Sequence, residues 1–223
     1  MNLAIFDLDN TLIAGDSDHG WGEFLVEHQL VDVDAYKRAN DQFYEDYERG
    51  ELDIKAYLEF SLEPLTHYSQ EELAELHQRF MKERIEPLKL AKANALLQKH
   101  RDQGDYLLII TSTNRFITQP IADSLGVDHI LATEAEIVDG RYSGRMLGVP
   151  CYQEGKITRL HAWLETAAEH GFTGNLDNSY FYSDSINDAP LLKVVDHPVA
   201  VDADEALTEL AQQQGWDIIS LRD

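Results

Sequence analysis

A chain of 223 residues, 43% of them hydrophobic, can bury a sizeable core and reads as one globular domain carrying an insert, or two small ones. Its 41 acidic residues outnumber 18 basic ones, and the net charge of −23 argues against nucleic acid or an anionic membrane as partner. No apolar run approaches the ~18 residues of a membrane span, no basic segment precedes the first apolar run, and the single cysteine, Cys151, permits no internal disulfide; a cytoplasmic location is expected.

The first apolar run, Leu3 to Phe6, ends in Asp7, Leu8, Asp9, Asn10 and Thr11. If extended geometry persists, alternation puts Asp7 and Asp9 on one side. Two carboxylates so close repel one another and call for a positive neighbour, for which magnesium, a hard cation, is suited. One carboxylate can then attack phosphorus, while the other moves protons to and from oxygen. An Asp-rich turn at a strand end is the plainer reading of the same residues.

From about Gly15 to Arg84 the pattern is helical with no convincing strand. Trp21, Phe24, Leu25, Tyr36, Phe43 and Tyr47 fall at helix-compatible spacings, and Ser69 to Glu72 reads as a capping box. Such a stretch between the first and second strands predicts an all-helical insert over 15–85. The remainder, 1–14 and 86–223, would form the sheet domain.

The second long apolar run, Tyr106 to Ile110, leads into Thr111, Ser112, Thr113 and Asn114, whose hydroxyls and amides at a helix start suit phosphate oxygens or an ordinary cap. His129 to Leu131 is a further strand, and Glu136 to Ser143 reads as a hairpin turning at Asp139 and Gly140. Lys156 opens a helical stretch, where its ammonium can balance carboxylates or simply face solvent. Tyr180 to Tyr182 delivers Ser183 and Asp184, and Asp188 follows four residues later ahead of Pro190; the pair suits a direct and an outer metal carboxylate, or caps the next helix. Val199 to Val201 and Ile218 to Leu221 complete the strands. Strands alternating with helices predict a Rossmann-like α/β fold, with a parallel sheet whose carboxyl ends gather these polar residues.

Asp7, Asp9 and Thr11, then Thr111, then Lys156, then Asp184 and Asp188 resemble, in that order, the four motifs of the haloacid-dehalogenase-like hydrolase superfamily. The likeness runs from residue 3 to about 200. It implies a magnesium-dependent phosphatase for a small phosphomonoester, working through a phosphoaspartate on Asp7, with Asp9 as general acid and base. It further implies that Asp7, Asp9 (through its carbonyl), Asp184 and Asp188 hold the metal, and that Thr111, Ser112, Lys156 and Asn187 bind the phosphoryl group.

The helical insert and the stretch from Ser183 to Pro190 resemble the phosphoserine-phosphatase-like branch. Its cap acid for the substrate ammonium falls at Asp16, which is equally placed to cap a helix. Its carboxylate-binding arginine falls at or near Ser61, and no arginine lies between Arg49 and Arg79. A phosphorylated amino alcohol such as histidinol phosphate therefore fits better than phosphoserine. His19, Trp21, Tyr44 and Tyr47 are candidates for an imidazole pocket, or for the core of the insert. A phosphotransferase and a receiver-like signalling domain are the alternatives; the acid at position 9 and the helical insert count against the second.

Overall fold

The computed structural model describes residues 1–222. Its sheet is built from β1 (Leu3–Phe6), β2 (Tyr106–Asn114), β3 (His129–Val138), β4 (Arg141–Leu147), β5 (Tyr180–Ser183), β6 (His197–Val201) and β7 (Asp217–Ile219), in spatial order 4-3-2-1-5-6-7. All neighbours run parallel except β3 and β4, which form an antiparallel hairpin. Asp139 and Gly140 both adopt positive φ at its turn, the conformation that two-residue hairpins need. The chain leaves β1 for β2 on one side and reaches β5 on the other. That reversal of strand order places the switch point, where α/β sheets bind ligands, at the carboxyl end of β1.

Helices cover the sheet. In chain order they are α1 (Ser17–Glu27), α2 (Val33–Glu48), α3 (Ile54–Leu62), α4 (Gln70–Phe80), α5 (Ala91–Asp102), α6 (Arg115–Leu125), α7 (Glu154–Leu164), α8 (Ala189–Leu192) and α9 (Glu205–Gln214). The central strand β1 is buried throughout and alternates between two cores. Ala4 and Phe6 face one with Trp21, Phe24, Leu107 and Ile109; Leu3 and Ile5 face the other with Leu108, Leu160, Phe172 and Phe181. Burial on both faces is why β1 reads as a continuous apolar run.

Between β1 and β2 the described structure is helical, as the periodicity predicts. α4 opens on the capping box: the Glu72 amide donates to Ser69 Oγ at 3.2 Å, and the Ser69 amide donates to Glu72 Oε2 at 2.7 Å. A π-helical turn, Met81–Ile85, follows α4 and leads back to the sheet. The hairpin of β3 and β4 reaches this helical region, since a Cβ added to Gly144 would lie 3.0 Å from Thr66 Cγ2.

Two strand boundaries differ from expectation. β2 runs on through Asn114, and α6 begins only at Arg115, with Asn114 Oδ1 as its cap. The register with β3 is irregular between Ile110 and Asn114. The amides of Thr111 and Ser112 thus belong to an irregular strand end and not to a helix N-terminus. The last strand is Asp217–Ile219, earlier than the apolar residues 218–221 imply.

Candidate active site

Asp7 follows β1 directly and its amide donates to the Tyr182 carbonyl at 2.9 Å, so the strand ladder fixes where the carboxylate points. Beyond it the chain turns sharply: Asn10 has φ of 56°, its amide donates to the Gly15 carbonyl at 2.9 Å, and Leu8 O accepts from Leu12 N at 2.9 Å. Asn is one of the few residues that tolerates this left-handed conformation. The turn folds Asp9 back beside Asp7.

Lys156 is 2% exposed and lies in the first turn of α7. Its Nζ donates to Asp7 Oδ1 at 2.8 Å and to Asp188 Oδ2 at 2.7 Å. Asp188 also accepts from Ser183 Oγ at 2.7 Å. Burial disfavours the ammonium, but Asp188 and Asp7 outweigh it and drive its pKa upward, so Lys156 stays charged.

Asp184, at the end of β5, accepts from Thr11 Oγ1 at 2.9 Å. Burial, then the charge of Asp7, raises its pKa well above the carboxylate range. Burial also pushes Asp7 up to about 7 against the pull of Lys156. The cluster is therefore short of positive charge with Lys156 already engaged. Oxygen donors of Asp7 and Asp184, each disfavoured as an anion in the bare protein, suit a hard divalent cation. No group of three or more His, Cys, Asp or Glu side chains is arranged around one point among the described residues. A site with two direct carboxylates, a carbonyl and waters does not require such a group.

Asp9 is held by Ser17 and Thr113, a pairing that the sequence did not mark. Its Oδ1 accepts from the Ser17 amide at 2.6 Å, and its Oδ2 accepts from Thr113 Oγ1 at 2.8 Å. Burial and then the repulsion of Asp16 push it up to about 7, while the Ser17 and Thr113 bonds pull down. Thr113 reaches Asp9 only because β2 continues past Thr111. Thr111 is buried and its Oγ1 accepts from the Thr113 amide at 3.2 Å, whereas Ser112 and Thr113 line the adjoining cavity. Asn187 is fully engaged: its amide nitrogen donates to the Tyr47 carbonyl at 3.2 Å, and its Oδ1 accepts from Gln153 Nε2 at 3.0 Å and Tyr152 Oη at 3.1 Å. These bonds tie the helical region to the sheet beside Asp7.

A cavity opens from Asp7 and Asp9 toward the helices. Asp16, Asp18, His19 and Asn40 line it, with Phe43, Tyr44, Tyr47 and Tyr57 as aromatic walls, and the lining includes no Lys or Arg. Asp16 caps α1 through Oδ1, accepting from the amides of Asp18 and His19 at 2.8 Å each. His19 packs on Tyr44 with ring centroids 4.7 Å apart. Trp21 does not reach the cavity. It is 1% exposed and packs against Phe24, Phe80, Phe116 and His77, on the face of α1 that docks on the core. Helical spacing alone does not distinguish those two faces. Cys151 is buried, and burial pushes its thiol up to about 12, which leaves it unreactive.

A family model described as haloacid dehalogenase-like hydrolase matches residues 4–193. The chain is 48% identical to a histidinol-phosphatase of Neisseria meningitidis, covering 99% of each, and 33% identical to a phosphoserine phosphatase of Mycobacterium tuberculosis, covering 98% of this chain and 70% of that one. Among solved structures, a Bordetella pertussis protein of unknown function superposes with a TM-score of 0.90 at 42% identity, covering 99% of this chain and 98% of that one. A substrate-bound phosphoserine phosphatase shares the fold at TM-score 0.70 and 17% identity, covering 99% and 93%. A receiver-like module is thereby set aside. No helix among the described residues is long and apolar enough to cross a membrane. The chain belongs to the haloacid dehalogenase-like hydrolase family, and it is a phosphatase.

Proposed function

We infer that the protein hydrolyses histidinol phosphate, or a closely similar phosphorylated amino alcohol, through a phosphoaspartate on Asp7. The observation that carries the chemistry is the cluster of buried Asp7, Lys156 and Asp188 with half-buried Asp184 and Asp9 at the carboxyl ends of the central strands. In the first half-reaction an Asp7 oxygen forms a bond to phosphorus, the ester P–O bond breaks, and the leaving alkoxide takes a proton from Asp9. In the second, Asp9 accepts a proton from water, whose oxygen attacks phosphorus and releases the Asp7 carboxylate. A group that must carry a proton in one step and lose it in the next works best with a pKa near the working pH, and the value of about 7 for Asp9 meets that need.

Lys156 favours the ionised form of Asp7 against the effect of burial, and can partner a phosphoryl oxygen. Thr111 and Ser112 stand as further phosphoryl-binding groups, and Asn187 would join them only by giving up its bond to the Tyr47 carbonyl or to Ser185 Oγ. Magnesium would be held by Asp7, the Asp9 carbonyl and Asp184, with Asp188 behind them, and would supply positive charge against the transferring phosphoryl group. The helical region over 15–85 acts as the cap that carries substrate selection, and the sheet domain over 1–14 and 86–223 carries the chemistry.

The substrate reading rests on the cavity and on the relative that is 48% identical. A lining with Asp16 and Asp18 and without Lys or Arg favours an ammonium and disfavours a carboxylate. At or near the place of the branch's carboxylate-binding arginine stands Ser61, buried and offering no charge. The tyrosines and Phe43 give an imidazole flat partners. Phosphate release from histidinol phosphate, phosphoserine, phosphoethanolamine and sugar phosphates, each with magnesium and with a chelator, tests this directly. Fastest release from histidinol phosphate, abolished by chelation, is expected; faster release from phosphoserine overturns the substrate, and indifference to the chelator overturns the metal.

A further inference from the structure

Tyr152 and Gln153 take no part in the chemistry above, yet both bond to Asn187. Gln153 stands directly ahead of α7 with φ of 47° and ψ of −120°. That is the second position of a type II′ turn, closed by the Gly155 amide donating to the Tyr152 carbonyl at 2.8 Å. Glycine is the residue that takes this conformation without strain. A glutamine kept there against the preference of the backbone points to a use for its side chain.

Gln153 Nε2 donates to Asn187 Oδ1 at 3.0 Å and to Tyr152 Oη at 3.2 Å. With its oxygen so occupied, Tyr152 turns its own hydrogen to Asn187 Oδ1, 3.1 Å away. Two donors thus converge on the Asn187 oxygen. Its nitrogen donates to the Ser185 hydroxyl and to the Tyr47 carbonyl, each at 3.2 Å. A backbone carbonyl only accepts, so an Asn187 amide turned over would set oxygen against oxygen at Tyr47 and nitrogen against nitrogen at Gln153. The network admits one orientation.

The two ends of that amide are held differently. Its oxygen is pinned by two donors from the loop before Lys156. Its nitrogen is releasable, because each acceptor has another partner: the Tyr47 carbonyl also accepts from the Gly50 amide at 2.9 Å, and Ser185 Oγ also accepts from the Asn187 backbone amide at 3.2 Å. Tyr47 itself lines the cavity that opens from Asp7. An anionic phosphoryl oxygen is a stronger acceptor than a carbonyl.

We propose that Gln153 is a positioning residue for phosphoryl transfer: with Tyr152 it holds the Asn187 amide so that one N–H passes from the Tyr47 carbonyl to a phosphoryl oxygen of the substrate. The assignment rests on the reading of Asn187 as a phosphoryl ligand. It does not depend on which phosphomonoester the enzyme prefers.

The test is a double-mutant cycle on Gln153→Leu and Asn187→Ala. It is read as the inhibition constant of inorganic phosphate and as kcat/KM, with magnesium and the phosphomonoester that is hydrolysed fastest. Asn187→Ala should weaken phosphate inhibition and lower kcat/KM. Gln153→Leu should weaken inhibition by about threefold to tenfold, the range of one hydrogen bond between uncharged groups. In the double variant the Gln153 change should add nothing, since no amide is left to position. A merely structural role would carry its factor unchanged into the Asn187→Ala background, and that result overturns the assignment. So does phosphate inhibition that Gln153→Leu leaves in place while Asn187→Ala weakens it. If Asn187→Ala itself alters neither constant, Asn187 is no phosphoryl ligand and the assignment falls with that reading, while the phosphatase chemistry stands. Should Gln153→Leu not fold, Gln153→Glu, which sets an acceptor against Asn187 Oδ1, is carried through the same cycle and judged by the same criterion.

Discussion

Lys156 Nζ lies 2.8 Å from Asp7 Oδ1, although 149 residues separate them in sequence. The ammonium is shared with Asp188, so one cation holds two buried carboxylates that would otherwise repel each other. The contact joins the first turn of α7 to the end of β1 and the start of α8, across the switch point of the sheet.

Lys156→Met should therefore cost both activity and stability. Breaking a buried ion pair by removing one partner typically costs about 3–5 kcal/mol, because the remaining charge is left uncompensated. Here Asp7 and Asp188 would be left together and one of them would take up a proton. Urea unfolding checks the stability loss, and an unchanged midpoint would show that the ammonium is dispensable to the fold. Turnover in the same variant should be at or near background.

Thr113→Val tests how Asp9 is tuned. The Thr113 hydroxyl stabilises the carboxylate form of Asp9 and so lowers its pKa. Without that bond the pKa rises, and the limb of the kcat/KM profile that reports Asp9 should move to higher pH. A profile that stays in place, or moves to lower pH, contradicts the role given to the bond.

A pH effect on stability follows from His129, at the start of β3. Its ring stacks on Trp163 at 5.6 Å and lies 4.5 Å from that of His170. Burial, then repulsion from His170, lowers its pKa from 6.5 to about 4. Between those values the unfolded chain binds the proton that the folded chain refuses. The contribution is thus complete above 6.5, is lost as pH falls, and is exhausted below about 4. His129→Phe should flatten this part of the stability profile, measured as the urea midpoint against pH; an equally steep profile would assign the effect to other groups.

Much of the fold was legible because β1, β2 and β5 are apolar runs that stop at polar residues, and because the capping box at Ser69 and the turn at Asp139 carry local signatures. The acids at 7, 9, 184 and 188 and the lysine at 156 stand at positions fixed by strand ends and helix starts, so their convergence followed from the topology. What lay beyond the sequence depended on local geometry. Thr113 bonds Asp9 because β2 is irregular and extends through Asn114, and an irregular strand end leaves no mark in an apolar pattern. Ser17 contributes a backbone amide, which any residue there would supply. Trp21 and His19 both sit on α1, yet one docks on the core and the other faces the cavity. Which face the helix buries is settled by the residues it meets on α4 and α6, not by its own spacing. Gln153 reads as one more polar residue before a helix, and only its bond to Asn187 sets it apart.

The central claim is that Asp7 itself becomes phosphorylated. Acid quenching during turnover of histidinol phosphate, followed by mass analysis of the peptide that contains residue 7, tests it most directly. A phosphoryl group on Asp7, absent from the Asp7→Asn protein along with turnover, is the expected result. An unmodified peptide together with full turnover in Asp7→Asn would contradict it.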